Sequence, residues 1–258
     1  MSDARRRSSG GDRFAAVAAD IAADRRRVSL LGEIREVVFG AQDGLVSTLA
    51  VVATVAGATT DALTVLIAGL ASAVAGVFSM GVGEYLGSRS QAEVQRGHVE
   101  AERAEVRERR EEAVTEVAYL FTTEGMEEHD AWTVARILER YPRSLLATMV
   151  AKELGIVHDD GDTAGSPLRG AVVMGGSFAL GSAVPILGYL AADDAAGVAV
   201  ATVATAAVLF GIGAIKARWT GRRWWRSGLE VVALAAVAGV AGYLFGTVLP
   251  GMLGVTGI

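Results

Sequence analysis

One aspartate lies inside an apolar stretch that is long enough to cross a membrane. Asp43 follows Val37 by six residues in the run VVFGAQDGLVSTLAVVATVAG, which ends at Gly57. As a helix rising about 1.5 Å per residue, this run reaches roughly 31 Å, which matches a bilayer core. Inserting a carboxylate there costs about 2.5–3.5 kcal/mol or more, so such groups usually face protein and serve a function. We therefore predict that Asp43 is a functional group inside a membrane span.

A thioether and a second carboxylate lie at matching depth in the next apolar run. Met80 precedes Leu86 by six residues, so Met80 and Asp43 each lie about 9 Å inside their helices. Glu84 follows Met80 by four residues and shares its helix face. These three groups can line one cation pathway. The alternatives are a flexible core methionine for Met80 and a solvated interfacial acid for Glu84.

Two more acids, Glu33 and Glu36, lie about one turn apart at the start of the first apolar run. Acids at the mouth of a membrane helix raise the local concentration of cations. Ordinary solvated side chains are the alternative interpretation. The sequence therefore predicts an acidic mouth next to the span that carries Asp43.

A soluble segment separates the second and third apolar runs. Residues 88–160 contain ten basic and sixteen acidic residues and no apolar run of spanning length, which predicts a three-helix insert. Its first helix is expected to be continuous over about 90–122. At 100° per residue, four glutamates fall within an arc of about 80°: Glu102, Glu105, Glu112 and Glu116. Met149 and Glu153 share a face of the third helix, and a plain solvated surface is the alternative for the acidic stripe.

The five apolar runs predict an all-α membrane protein with five transmembrane helices, and the distribution of Lys and Arg predicts their orientation. Spans 1 and 2 are expected within 31–87, and spans 3 to 5 within 161–258. The basic tail (1–30) and the insert (88–160) are expected on the cytoplasmic side, with the C-terminus on the opposite side. The tail itself is expected to be mobile, apart from a short helix over 14–23.

The amino-acid composition limits which partners and which metal sites the chain can have. The 258-residue chain is 52% apolar with a net charge of −5, and no basic domain suited to nucleic acid emerges. It has no cysteine, which excludes disulfides and thiolate metal sites, and three histidines are too few for multi-histidine iron boxes. Any metal must therefore bind oxygen, imidazole or thioether. Carboxylate with thioether suits Fe²⁺ better than Mg²⁺.

Four segments in order resemble the vacuolar iron transporter family. They are GAQDGLVS (40–47), SMGVGEYLGSRSQ (79–91), the Glu-rich insert, and KELGI (152–156). Members of that family are five-span dimers that exchange divalent iron or manganese for protons. The resemblance implies that Asp43 and Met80 lie on the translocation path, with Glu33 or Glu36 near its cytoplasmic mouth.

The resemblance also implies a metal-binding insert. Its ligands would be Glu102, Glu105, Glu116, Met149 and Glu153. One departure concerns Ala113, where the family usually has another glutamate; either Glu112 substitutes or the cluster is weaker or rearranged. The family's usual helix-breaking proline in this region is also absent, so a more continuous first insert helix is expected.

These observations predict a transporter rather than an enzyme. We expect a homodimer in the cell membrane that exports or sequesters Fe²⁺, or Mn²⁺, in exchange for protons, with no cofactor beyond the transported ion. An odd number of spans without an internal repeat favours a pathway at the dimer interface. Two alternatives remain open: a membrane-anchored metal sensor or buffer, and a membrane ferroxidase, against which the absence of Glu-x-x-His pairs argues.

Overall fold

The chain folds into eight α-helices across the parts that the structure describes. This computed structural model describes residues 2–155, 166–192 and 194–252. The helices are α1 (Ser2–Ala58), α2 (Ala62–Glu108), α3 (Arg110–Thr123), α4 (Glu128–Glu139), α5 (Pro142–Glu153), α6 (Pro167–Leu190), α7 (Asp194–Thr220) and α8 (Trp224–Met252). The predicted all-α class is confirmed. Most of the acidic loop that begins at His158, and the last residue of the KELGI segment, lie outside the described residues.

The helices form two compact units. One unit comprises Met1–Tyr85 together with Leu168–Ile258, and the other comprises Leu86–Pro167. The first unit, called here the bundle, contains α1, the first half of α2, and α6 to α8. The second unit, called here the insert, contains the end of α2 and α3 to α5.

Four described helices are long and apolar enough to cross a membrane. The qualifying segments are Gly32–Ala58, Ala62–Glu108, Pro167–Leu190 and Ala195–Arg218. The apolar part of the second segment is its first half, because the acids and arginines of the insert begin after Leu86. The structure therefore contains candidate membrane helices at four of the five predicted spans. For α8, which has 29 residues, the role of fifth span stays a prediction.

Glycines bring α1 and α6 into backbone contact. A Cβ on Gly44 would lie 2.3 Å from the carbonyl oxygen of Phe178, and a Cβ on Gly181 would lie 2.3 Å from that of Ala41. Distances this short leave no room for any side chain. The same surface of α1 includes Gly40, so both glycines of the GAQDG segment serve helix packing.

The N-terminal segment differs from the predicted mobile tail. The structure continues α1 as one helix from Ser2 to Ala58. Three features favour this continuation: the segment is rich in alanine, it contains no proline, and Arg27 lies 3.7 Å from Asp24 one turn earlier. The helix that crosses the apolar region therefore also provides a nucleus for the tail.

The insert has its own apolar core. The residues buried together are Val106, Ala113, Val114, Val117, Ala118, Ala135, Leu145, Leu146, Met149 and Val150. Gly125 has a φ of 98°, which allows the turn after α3, and Pro142 occupies the first turn of α5, where its missing N–H costs nothing. The core holds α3, α4 and α5 around the end of α2.

The expectation of one continuous helix over 90–122 is wrong. Arg109 interrupts it with φ −126° and ψ 48°, so that α2 ends and α3 begins on either side. The bend has a clear physical consequence: Glu105 comes close enough to Glu116 to raise its pKa. On a straight helix these two positions would be about 16 Å apart along the axis.

Candidate functional site

Two glutamates from different helices converge beside a glycine of the bundle. A Cβ placed on Gly170 of α6 would lie 3.4 Å from Oε1 of Glu36, 3.5 Å from Oε2 of Glu36 and 3.4 Å from Oε1 of Glu84. Three carboxylate oxygens from α1 and α2 therefore surround one point that holds no side chain. Oxygen ligands around open space suit a cation.

A third glutamate of this region is paired with an arginine. Arg169 of α6 donates from Nη2 to Glu33, at 2.9 Å from Oε1 and 3.2 Å from Oε2. The Glu33 side chain is 29% exposed and that of Arg169 is 66% exposed. Because Arg169 immediately precedes Gly170, the ion pair adjoins the point where Glu36 and Glu84 meet. Glu33, Glu36 and Glu84 are called the acidic mouth below.

Asp43 stands apart from the acidic mouth. It lies seven residues beyond Glu36 on α1, a rise of about 10 Å. Its neighbours Gly40 and Gly44 face α6, whereas Asp43 is exposed on the surface of the bundle. Its backbone carbonyl accepts a hydrogen bond of 2.6 Å from Ser47 Oγ. The structure thus places a carboxylate on the outside of a candidate membrane helix.

Met80 is partly buried on α2, one turn before Glu84. The intervening Gly83 has no heavy atom within 4 Å of the place where a Cβ would lie, and neither does Gly87. Met80 therefore lies beside an open strip of α2. Of the five bundle residues predicted from the sequence, the structure brings Glu36 and Glu84 to the same point beside Gly170 and pairs Glu33 with Arg169. It places Asp43 and Met80 further along their helices.

Four glutamates of the insert influence one another. They are Glu102 and Glu105 of α2, Glu116 of α3 and Glu153 of α5, called here the insert cluster. Burial first, and then the charges of Glu153 and Glu105, raise the pKa of Glu116 above its ordinary value of 4.5. Burial and the same neighbours, with Glu116, also raise the pKa of Glu102, which lies well beyond the apolar part of α2. Closely spaced acids that resist ionisation are typical of cation sites.

One carboxylate oxygen of Glu102 lies in an unusual environment. Its Oε2 atom is buried and has no hydrogen-bond partner within the described parts of the chain. Buried polar atoms are rarely left unpaired, because the lost solvation costs about 1–3 kcal/mol. A proton or a metal ion would satisfy this atom. The insert cluster is therefore a candidate cation site.

Two predicted insert ligands have other partners in the structure. Glu112 Oε2 accepts a 2.8 Å hydrogen bond from Arg109 Nη1, and its side chain is 62% exposed. Arg109 also bonds Glu105 Oε2 at 3.0 Å through Nη2. Met149 is fully buried in the apolar core of the insert. The structure thus gathers four of the six predicted insert residues and holds the other two elsewhere.

Among the residues that the structure describes, side chains alone form no complete coordination sphere. Across residues 2–155, 166–192 and 194–252, no three Asp, Glu or His side chains are gathered closely enough to hold a metal ion. The insert cluster is close enough for mutual pKa effects, and ligation would require side-chain rotation.

Sequence reasoning missed Arg169 and Gly170. Both follow Pro167 at the start of the third apolar run, on the side of the membrane where the predicted topology also places Glu33 and Glu36. This shared side of the membrane was the sequence feature that could have linked Arg169 and Gly170 to the two acids. Topology alone, however, does not tell which helices are neighbours.

Comparison with known proteins gives the family. Residues 34–247 match the VIT family, which covers most of the chain. The chain belongs to this family. Two similar relatives of this VIT-family chain are "Vacuolar iron transporter 1" of Oryza sativa subsp. japonica, 31% identical over 81% of this chain and 82% of that protein, and "Vacuolar iron transporter 1" of Arabidopsis thaliana, 32% identical over 82% and 84%. A more distant one is "Vacuolar iron transporter" of Plasmodium falciparum, 25% identical over 84% and 82%.

The match includes nearly all candidate residues of this VIT-family chain. It spans both the bundle and the insert, and of the residues predicted from the sequence only Glu33 lies before its first position. The predicted family is confirmed. The matched range, residues 34–247, includes the positions of the insert.

Proposed function

We propose that this VIT-family chain is a membrane transporter that moves Fe²⁺ or Mn²⁺ out of the cytoplasm in exchange for protons. The observation that carries the proposal is the family match, because relatives 31–32% identical over more than four fifths of their length are named vacuolar iron transporters. The convergence of Glu36 and Glu84 beside Gly170 supports a cation path in the bundle.

The proposed path runs from the acidic mouth to Asp43 and Met80. Carboxylates at the mouth attract a divalent ion and replace part of its water shell. Deeper in the span, the carboxylate of Asp43 and the thioether of Met80 provide one hard and one soft ligand. That pair suits Fe²⁺ better than Mg²⁺, which prefers oxygen and keeps its water.

Proton exchange follows from the ligand type. A carboxylate must be deprotonated to bind metal, so a proton that arrives at Asp43 from the opposite side releases the ion. The protonated group then returns its proton to the cytoplasm before the next ion binds. One kind of side chain thereby couples the two fluxes.

The exposed position of Asp43 supports a homodimer. A carboxylate that faces lipid is costly, and a second copy of the chain would cover it. Two-fold symmetry would place Asp43, Met80 and Glu84 of both copies around one shared path. The open strip of α2 at Gly83 and Gly87 leaves room for a close partner helix.

The insert is proposed to capture metal on the cytoplasmic side. Glu102, Glu105, Glu116 and Glu153 would bind the ion, with the orphan oxygen of Glu102 as one ligand. Met149 would join only by turning its sulfur out of the core. Glu112 would have to leave Arg109, although helical phase alone permits it as the replacement for the glutamate missing at position 113.

We propose five spans, with α8 as the fifth, an N-terminus and insert in the cytoplasm, and a C-terminus on the other side of the cell membrane. The basic turn between α7 and α8 supports this sidedness. Cell fractionation and protease protection of tagged termini test the membrane and the orientation.

Transport by reconstituted protein tests the proposal. Purified protein in proteoliposomes should move Fe²⁺ and Mn²⁺ faster when a proton gradient drives protons across the membrane in the opposite direction to the metal. Asp43→Asn should lower the rate roughly tenfold or more, as expected for a lost ligand. Glu230→Gln is the matched control, because Glu230 is an exposed acid of α8 that pairs with Arg222 outside the proposed path. Wild-type transport by Asp43→Asn would contradict the path.

The same preparation distinguishes the two alternatives. Metal binding without flux would indicate a sensor or buffer. Oxygen consumption on addition of Fe²⁺ would indicate a ferroxidase.

A further inference from the structure

Arg169 places a permanent positive charge at the acidic mouth. Arg169 is bound to Glu33 by two contacts of 2.9 and 3.2 Å, and the next residue, Gly170, lies against the carboxylates of Glu36 and Glu84. The guanidinium is always charged and cannot release a proton. Any cation that reaches this mouth therefore meets a tethered cation already there.

The ion pair between Arg169 and Glu33 can be opened easily, so that another cation can replace the arginine. Arg169 is 66% exposed, and exposed ion pairs contribute only about 0–1 kcal/mol, so its bond to Glu33 is easily broken. Glu33 is the more buried partner, at 29% exposure, and it remains fixed on α1 when the arginine leaves. The long arginine side chain can swing into solvent without moving a helix.

We propose that Arg169 is a tethered counter-ion that holds Glu33 while the mouth is empty and is displaced by a divalent cation. This proposal rests on the proposed function and makes Arg169 a residue that sets charge selectivity. A monovalent ion carries the same charge as the guanidinium and gains little by replacing it. A divalent ion gains about twice the Coulomb energy from the same carboxylates and can displace it.

Substitution of Arg169 should tighten apparent metal affinity at the expense of selectivity. In proteoliposomes, with Mn²⁺ as an air-stable probe, Arg169→Gln should lower KM roughly three- to tenfold, because one repulsive charge is removed near a divalent ion. K⁺ should then inhibit Mn²⁺ uptake more strongly than in the wild type, because monovalent ions no longer compete with a tethered cation. Arg169→Lys keeps the charge and should restore both values to within about twofold of wild type.

Two further variants separate this role from a structural one. Arg222→Gln removes an equally exposed arginine from an ion pair of 3.4 Å with Glu230 and should change neither value. Glu33→Gln releases Arg169 from its partner and should raise KM, the opposite direction. An unchanged or lower KM in Glu33→Gln would contradict the proposal, which therefore stays testable even when Arg169→Gln does not yield folded protein.

The outcomes are distinct. If the wild type transports Mn²⁺ but Arg169→Gln leaves KM and K⁺ inhibition unchanged, or lowers only the maximal rate, the tethered counter-ion is wrong and the proposed function stands. An equal effect in Arg222→Gln would also overturn it. If the wild type carries no flux, the proposed function fails; equilibrium binding of Mn²⁺ to the full chain, in a Glu116→Gln background, then decides whether Arg169→Gln binds the ion more tightly, as inferred, or does not.

Discussion

At the scale of single residues, the insert cluster is held at an energetic cost. Burial first, and then neighbouring carboxylates, raise the pKa of Glu102 and Glu116 above the ordinary value of 4.5. The folded chain therefore keeps these protons at a pH where the unfolded chain has lost them. It follows that this contribution to stability is largest below about pH 4.5 and falls as the pH rises through the raised pKa values. A bound divalent cation would offset the repulsion and stabilise the insert.

Removing one of these charges should stabilise the insert at neutral pH. Glu116→Gln should raise the opening free energy of α3 amides by about 0.5–1 kcal/mol at pH 7.5, since the group is partly exposed and its repulsion is screened. The difference should vanish near pH 4, where Glu116 of the wild type is also protonated. Hydrogen exchange of the full chain in detergent measures both values.

Glu112→Gln is the matched control for this variant. Glu112 pairs with Arg109 and lies outside the insert cluster, so its loss should produce no gain in stability at pH 7.5. An equal gain in the two variants would mean that general negative charge, and not the cluster, limits stability.

Helical phase predicted the acidic stripe but could not tell its members apart. Four glutamates share one side of the ideal helix, yet the structure groups only three of them with Glu153. Arg109 pairs with the fourth, Glu112, and also with Glu105 of the insert cluster. The pair of Glu33 and Arg169 joins residues 136 positions apart, so no local pattern could reveal it. Long-range pairing depends on which helices pack together.

At the scale of helices, periodicity and apolar length predicted most elements. The positions of α4 and α5 follow from their apolar spacing and from Pro142, and four apolar runs became candidate spans. Two features were not predictable in this way. The bend at Arg109 is fixed by contacts of the insert core, and the continuous α1 depends on a nucleus supplied by the span.

The backbone contact between α1 and α6 can be tested by substituting two glycines of α6. Gly181→Ala places a Cβ 2.3 Å from the backbone oxygen of Ala41, so the helices must separate; we expect a loss of about 1–3 kcal/mol and a lower yield of monodisperse protein. Gly176→Ala, where no heavy atom lies within 4 Å, should instead be neutral or stabilise by about 0.5–1 kcal/mol. Size-exclusion profiles and thermal unfolding in detergent compare the two. Equal tolerance would show that α1 and α6 are not in backbone contact.

At the scale of the whole molecule, the exposed Asp43 is the feature that a single chain leaves unexplained. A carboxylate on the outside of a membrane helix needs a polar neighbour, and the proposed second copy would supply one by symmetry. The open glycines at 83 and 87 lie on the same helix as Met80 and have the spacing of a close helix contact. These observations favour α2 as the dimer contact.

Cysteine cross-linking tests this contact in a chain that has no cysteine of its own. Gly83→Cys should form a disulfide-linked dimer in membranes under mild oxidation, because two-fold packing at a small-residue contact brings equivalent Cβ atoms within about 4 Å. Gly176→Cys is the control, since Gly176 is equally open but lies on α6, away from the proposed contact. A band at twice the monomer mass for Gly83→Cys alone supports the α2 dimer. If both variants cross-link equally, collisions in the membrane explain the bands; if only Gly176→Cys does, the shared path lies on another face and Asp43 must be covered differently.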